Sequence, residues 1–163
     1  MKILIFGTGG AGKSVLAHHL AETRSLAFLE LDMIAWVGID PPRRFPLEES
    51  LQKIDAFMEQ SSSWVMEGAY GDMIEYLLPH CDEVFFLNPG IEACITNAKN
   101  RPWEPHKFNS PEEQKRFLPT LVDWLRLYET RDDEYGLPRH RELFDAFKGK
   151  KTEHTDPAAF LRP

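Results

Sequence analysis

The sequence predicts an α/β domain built on a parallel sheet that helices cover on both faces. Two observations predict it. Short apolar runs alternate along the chain with longer segments of helical period, the pattern of strands joined by helical crossovers. The first of these runs leads directly into Gly7-Thr8-Gly9-Gly10-Ala11-Gly12-Lys13-Ser14. That octet fits the phosphate-binding P-loop pattern G-x-x-x-x-G-K-[ST], which needs a strand before it and a helix after it.

Each element can be justified in turn. Residues 2–6 read as a buried strand ending at Gly7, and residues 14–23 as a helix with Val15, Leu16, His19 and Leu20 at helical spacing. Residues 27–31 are a second strand. Residues 40–46 form a Pro-rich loop carrying Arg43 and Arg44, and residues 47–60 a helix with Leu47, Leu51, Ile54 and Met58 on one face. A third strand covers 64–66, a short helix 72–78, a fourth strand 84–87 and a helix 91–100. The pattern lapses over 101–110 and resumes at Pro111. There Ser110 offers a hydroxyl cap, Pro111 suits the first turn and Glu113 follows three residues on. Pro119 is expected to bend or divide that helix. Residues 142–147 continue in helix, 150–154 form a fifth short strand and 157–161 a last helical turn.

Composition narrows the class. A chain of 163 residues suits one domain, here 1–163, able to bury roughly 70% of its unfolded surface. The 42% hydrophobic content is too high for a disordered chain. The balance of 19 Lys+Arg against 26 Asp+Glu, a net charge of −7, makes nucleic acid an unfavoured partner. Apolar runs near the N-terminus stay far below the ~18 residues of a membrane span. Gly7 interrupts the first of them, so neither a leader nor a membrane partner is expected. Cys81 and Cys94 lack metal-type spacing, which suits free thiols in a reducing cytoplasm.

The chemistry rests on the octet. Its glycines permit backbone angles and close approach that a Cβ forbids. Successive amides then face one concavity and bind phosphate oxygens, aided by the positive end of the following helix. Lys13 would reach the outer phosphates and the Ser14 hydroxyl would ligate Mg²⁺, which prefers oxygen donors. The second strand ends Glu30-Leu31-Asp32. Residues i and i+2 on a strand share a side, and ligands bind beyond the carboxyl ends of parallel strands. Asp32 is therefore a candidate base for a substrate hydroxyl, or a holder of Mg²⁺ through water, with Glu30 beside it. The fourth strand, where an acidic partner of the P-loop is sought, ends in Asn88, which brings no charge and shifts weight to Asp32.

Residues 101–116 carry Arg101, Lys107, Lys115 and Arg116 and form the best candidate for a lid, since closing a cationic segment over phosphates stabilises transferred charge and excludes water. Arg101 is the candidate catalytic cation. Arg43, Arg44 and Arg131 are candidates to hold an anionic acceptor, alongside a second basic group of Arg139 and Arg141. Tyr70, after Gly68, is a candidate to stack on a substrate, and Trp36 and Trp103 flank the site, while Trp64 and Trp124 read as core. His18 and His19 are adjacent on a helix and do not pair as ligands. His80 beside Cys81 suggests a thiol dyad, but a buried cysteine is commoner.

The P-loop, Leu31-Asp32 with nearby Trp36, Trp64-Val65-Met66-Glu67-Gly68 and Phe85-Phe86-Leu87-Asn88-Pro89 together resemble the small adenylate-kinase-like P-loop proteins. Many of those carry the label "DNA topology modulation protein". The resemblance spans nearly the whole chain. It implies a three-layer P-loop NTPase fold, like adenylate and shikimate kinases, with a five-stranded parallel sheet of order 2-3-1-4-5 and a short lid. It also implies ATP-dependent phosphoryl transfer to a small acceptor, with ATP and Mg²⁺ as cofactors. The chain departs from those relatives at Glu67-Gly68-Ala69-Tyr70, where they commonly have Asp-Gly-Asn-Tyr. It departs again at Asn88, where they have Asp, and in a lid poorer in arginine. The expected function is thus a P-loop kinase acting on a nucleotide or another small molecule, with adenine near residues 155–157. The alternative is an ATP-binding regulatory protein that hydrolyses slowly and has no acceptor. No Asn-Lys-x-Asp guanine signature is present.

Overall fold

A computed structural model describes residues 1–38 and 42–156. Five parallel strands form the central sheet: β1 (Lys2–Phe6), β2 (Ala27–Glu30), β5 (Trp64–Gly68), β6 (Glu83–Leu87) and β7 (Lys150–His154). Their spatial order is β2-β5-β1-β6-β7. Counting only these five, that is the expected 2-3-1-4-5. Two further strands, β3 (Trp36–Val37) and β4 (Arg43–Arg44), pair antiparallel as a small separate hairpin.

The three layers follow from the alternation of side chains along each strand. Leu4 and Phe6 of β1 face one way, with Met66, Val84 and Phe86. They pack on α3 (Leu47–Gln60), α4 (Gly71–Leu77) and α7 (Leu137–Ala146) through Ile54, Met73, Ile74, Leu77, Leu143 and Phe144. Ile3 and Ile5 face the other way, with Val65, Phe85 and Leu87. They meet α1 (Lys13–Arg24), α5 (Ile91–Lys99) and α6 (Pro111–Arg126) through Leu16, Ala17, Leu20, Cys94, Ile95 and Leu125. β1 and β5 are buried along nearly all their length, as a parallel sheet covered on both sides requires.

Local signals explain most boundaries. The Ser110 hydroxyl accepts from the Glu113 amide at 3.1 Å, and the Glu113 carboxylate accepts from the Asn109 amide at 2.6 Å. That reciprocal arrangement satisfies amides at the start of α6. Pro119, expected to bend or divide this helix, leaves α6 undivided over sixteen residues, because packing of its apolar face outweighs one lost backbone bond. The second strand stops at Glu30, and Asp32 opens a short helix, α2 (Asp32–Ala35). The loop expected over 40–46 contains β4, whose residues 43–44 bond to β3. The helix read from 142 starts at Leu137, with Pro138 in its first turn. The helical turn expected at 157–161 lies outside the described residues, as do Asp40 and Pro41 of the expected loop and Pro157 of the expected adenine region. No helix among the described residues is long and apolar enough to cross a membrane.

Candidate active site

The octet lies between β1 and α1 as its pattern demands. Gly7, Gly10 and Gly12 have φ of +153°, +72° and +97°, angles that side chains rarely adopt. A Cβ on Gly10 would overlap the Cys94 carbonyl, and one on Gly7 the Leu87 carbonyl. The glycines thus let the loop pack directly against the backbone at the end of β6 and in α5. Lys13 folds back along it, donating to the Thr8 carbonyl at 2.8 Å. A cleft of about 410 Å³ adjoins the loop, lined by Gly10, Lys13, Ser14, Asn97 and Arg101 among others.

The partner of Ser14 is a residue that sequence reasoning missed. Its hydroxyl donates to Glu67 Oε1 at 2.8 Å. Glu67 is the last residue but one of β5, the strand beside β1, with Phe6 aligned on Gly68, so its carboxylate reaches the P-loop from the next strand. Burial pushes the Glu67 carboxyl up to about 7. The positive charge of Lys13 opposes this, Asp32 and Glu30 add to it, and the Ser14 bond opposes it again. Ser14 and Glu67 together offer oxygen donors of the kind Mg²⁺ takes. Asn88 does not serve here. Its side chain donates to Glu153 at 3.4 Å and its amide to the His154 carbonyl, because β6 lies on the other side of β1 from β5. The visible signal was an apolar strand ending in an acid, but it belonged to 64–68 rather than 84–88.

Asp32 stands in the first turn of α2, not at the end of a strand, and 40% of its side chain is exposed. Tyr70 donates its hydroxyl to Asp32 Oδ1, and Lys107 donates to Oδ2 at 2.9 Å. Desolvation raises its carboxyl, but Lys107, the Tyr70 bond and Lys13 outweigh that and hold it below the ordinary carboxylate range. Asp32 is therefore held in its ionised form, with part of its side chain exposed.

Tyr70 was expected to stack on a substrate. The structure corrects this: Tyr70 is 4% exposed, and its hydroxyl accepts from Trp36 Nε1 at 2.7 Å while donating to Asp32. Burial, then the Asp32 charge, keeps that phenol protonated far past its ordinary range. Trp36 and Tyr70 thus orient Asp32. The segment carrying Tyr70 is itself fixed from beneath by His140, which is fully buried. The Ala69 carbonyl can only accept, so His140 donates to it from Nε2 at 2.8 Å, leaving Nδ1 to accept from Tyr128 at 2.8 Å. Burial lowers the His140 imidazole to about 4, which keeps it neutral in this role.

Beyond Asp32 the aromatic rings carry two arginines. The Arg44 guanidinium lies 4.8 Å from the Tyr70 ring, 5.8 Å from Trp36 and 5.7 Å from Tyr135, and it pairs with Asp72 at 3.3 Å. Arg131 lies 4.0 Å from Trp124 and 5.3 Å from the same Tyr135 ring, and is clamped by Asp133. Among the described residues, Arg44 Nε and Arg131 Nη1 are buried atoms with no hydrogen-bond partner. Arg43, on the opposite side of β4, is exposed and directed away from this group. Arg101 lines the P-loop cleft and meets Glu104 at 3.4 Å. Arg139 and Arg141 are engaged by Glu75, Glu134 and Glu153. Trp103 bonds the Phe108 carbonyl and is 45% exposed.

The remaining candidates are structural. His18 packs against Phe28 with ring centres 4.5 Å apart and the planes tilted by 54°. Burial pushes the Cys81 thiol up to about 12 and Cys94 up to about 11, and Cys81 donates to the Leu77 carbonyl. No thiolate forms beside His80 at neutral pH.

Neither a protein-family model nor a curated protein matches the chain. Solved structures do. A sugar kinase from Janibacter sp. HTCC2649, determined without ligand, is 13% identical, with 99% of this chain and 86% of that one aligned and a TM-score of 0.52. A shikimate kinase from Acinetobacter baumannii in complex with shikimate is 16% identical over 99% and 89% of the two chains, with a TM-score of 0.49. A deoxyadenosine kinase from M. mycoides with bound dATP is 13% identical over 99% and 94%, with a TM-score of 0.46. The likeness is one of fold: the chain has the α/β architecture of P-loop kinases.

Proposed function

We propose that this protein is a P-loop kinase that transfers a phosphoryl group from ATP to a small-molecule acceptor, which is a nucleotide or another hydroxyl-bearing compound. The observation that carries the proposal is Asp32: a carboxylate kept ionised, partly exposed, and within the field of the same Lys13 that belongs to the P-loop. A kinase for hydroxyl acceptors uses such a base to take the proton of the attacking hydroxyl.

Each residue then has a task. The amides of the octet bind the phosphates of ATP, and Lys13 turns from the Thr8 carbonyl toward the outer phosphate. Ser14 and Glu67 would hold Mg²⁺, which would draw charge from the phosphate oxygens. Asp32, aimed by Tyr70 and Trp36, accepts the proton of the attacking hydroxyl. Arg101 at the cleft supplies positive charge to the transferred group, and Arg44 and Arg131 hold an anionic part of the acceptor. Residues 101–116 act as the lid over this arrangement. The thiols of Cys81 and Cys94 are free, which suits the cytoplasm.

One observation favours the regulatory reading. Lys107 already occupies an oxygen of Asp32, so the base of the kinase reading is engaged by a side chain of the protein itself. ATP turnover measured with nucleosides, nucleoside monophosphates, sugars and shikimate-like acids separates the two readings. The kinase predicts that one acceptor class raises turnover strongly and that Asp32→Asn removes the rise. Slow turnover indifferent to every acceptor overturns it.

A further inference from the structure

Residues 101–110, between α5 and α6, contain neither helix nor strand. Most of the polar contacts in this stretch stay local. Trp103 bonds the Phe108 carbonyl, the Glu104 amide donates to Gln114, and the Lys107 and Phe108 amides donate to the Glu104 carbonyl. Among the described residues, the polar contacts tying it to the sheet are those of Lys107 and His106. The Lys107 ammonium touches Glu30, lies 2.9 Å from Asp32 and meets Glu104 at 3.5 Å. His106 Nε2 stands 3.3 Å from Glu30 Oε2. Glu30 ends β2 and is 8% exposed, so its carboxylate is buried against Lys107 and His106.

This arrangement conflicts with catalysis. A carboxylate bonded to an ammonium is a weaker proton acceptor, because the ammonium stabilises the charged form. Both Asp32 oxygens already receive a donor. Of the two donors, Tyr70 is buried and tethered by Trp36. Lys107 rides on a segment without regular structure, so it is the one free to leave.

We propose that Lys107 is an autoinhibitory latch: its ammonium, seated among Glu30, Asp32 and Glu104, holds residues 101–110 down over Asp32 until nucleotide and acceptor displace it. The proposal rests on the reading of Asp32 as the acceptor's base. Release of the latch opens the approach to Asp32 and restores its basicity in one movement, so the base becomes competent only in the loaded protein.

The test needs no turnover. Amide hydrogen exchange over 101–110 is measured in the nucleotide-free wild type, in K107M and in E30Q. The double variant E30Q/K107M removes both charges and guards against a stranded buried Glu30 unfolding the single variant. The latch predicts exchange at least about fivefold faster in the variants, equal in the double and the singles, with core strands unaffected. Exchange over 101–110 that is unchanged in E30Q and in E30Q/K107M overturns it. Affinity for magnesium with a non-hydrolysable ATP analogue gives the second arm. Because the latch competes with loading, E30Q/K107M, which removes it without changing the net charge of the site, should bind about fivefold tighter, near 1 kcal/mol. Weaker binding overturns the latch and makes Lys107 a phosphate-binding cation instead. A chain that binds no nucleotide refutes the kinase reading, while the exchange result still decides whether the contact holds the segment.

Discussion

Glu67→Gln gives the sharpest test of the site's electrostatics. Glutamine keeps the shape and can still accept from Ser14, so the change removes the charge and little else. The wild-type carboxyl is held at about 7 against an ordinary 4.5. Below pH 4.5 it is protonated in both the folded and unfolded chains and contributes nothing to pH dependence. As the pH rises through 7 the unfolded chain ionises freely while the folded one resists, so stability is lost. At about 1.4 kcal/mol per pH unit the loss is complete above pH 7 at about 3 kcal/mol. Glu67 is 3% exposed, so water does little to screen it. Glutamine lacks this cost, so the stability of the variant relative to wild type should rise by about 3 kcal/mol between pH 4.5 and 8. That corresponds to roughly 6–12 °C in melting temperature for a chain of this size. Urea or thermal unfolding of both proteins across that range reads it directly. Magnesium with nucleotide should shrink the gap at pH 8, because a cation beside the carboxylate favours its charged form. A stability difference that stays constant with pH refutes the account of Glu67 as a buried, proton-retaining partner of Ser14.

Lys13→Ala should lower ATP turnover by at least about 100-fold with the fold intact by circular dichroism; retained turnover sinks the phosphate-site assignment. Gly10→Ala forces a left-handed backbone angle and a collision with the Cys94 carbonyl. It should therefore cost about 2 kcal/mol or more in urea unfolding and abolish nucleotide binding by calorimetry. Tyr70→Phe strands the Trp36 indole and frees Asp32 to turn; acceptor-dependent turnover should fall about tenfold or more while affinity for the ATP analogue changes little. His140→Leu leaves the Ala69 carbonyl and the Tyr128 hydroxyl without their partner and should cost about 2–4 kcal/mol by denaturant unfolding.

The parts legible in the sequence are those set by the backbone. A P-loop needs glycine where φ is positive, so Gly7, Gly10 and Gly12 announce their own geometry. Strand and helix periods sort Ile3 and Ile5 from Leu4 and Phe6 before any fold is known. The order of strands follows from the resemblance, and it sets β5 and β6 on either side of β1. What could not be read is which of the two flanking strands sends a side chain to Ser14: Glu67 reaches it, while Asn88 turns to Glu153. Tyr70 looked like a substrate platform because its exposure is not written in its position; only α4, Tyr135 and Trp36 packed around it make it a buried orienter. Arg44 and Arg43 are adjacent in sequence, and only the pairing of β3 with β4 turns one toward Tyr135 and the other outward.

The acidic excess also takes on a different meaning in three dimensions. Four of the acids, Glu30, Asp32, Glu67 and Glu104, are drawn to the carboxyl ends of β2 and β5, where Lys13 and Lys107 answer them. With Arg101 paired to Glu104 as a third cation, the four acids still exceed the cations once Glu67 ionises. A triphosphate brings more negative charge, and like charges at close range repel. Loading therefore calls for countercharge beyond these side chains. Magnesium at Ser14 and Glu67 is the economical source, since it neutralises two charges and favours the ionised form of Glu67. On this argument nucleotide affinity should depend steeply on magnesium, and Glu67→Gln, with one charge fewer, should weaken that dependence. Titrating the ATP analogue at several magnesium concentrations against both proteins measures it; equal dependence in the two would place the metal elsewhere.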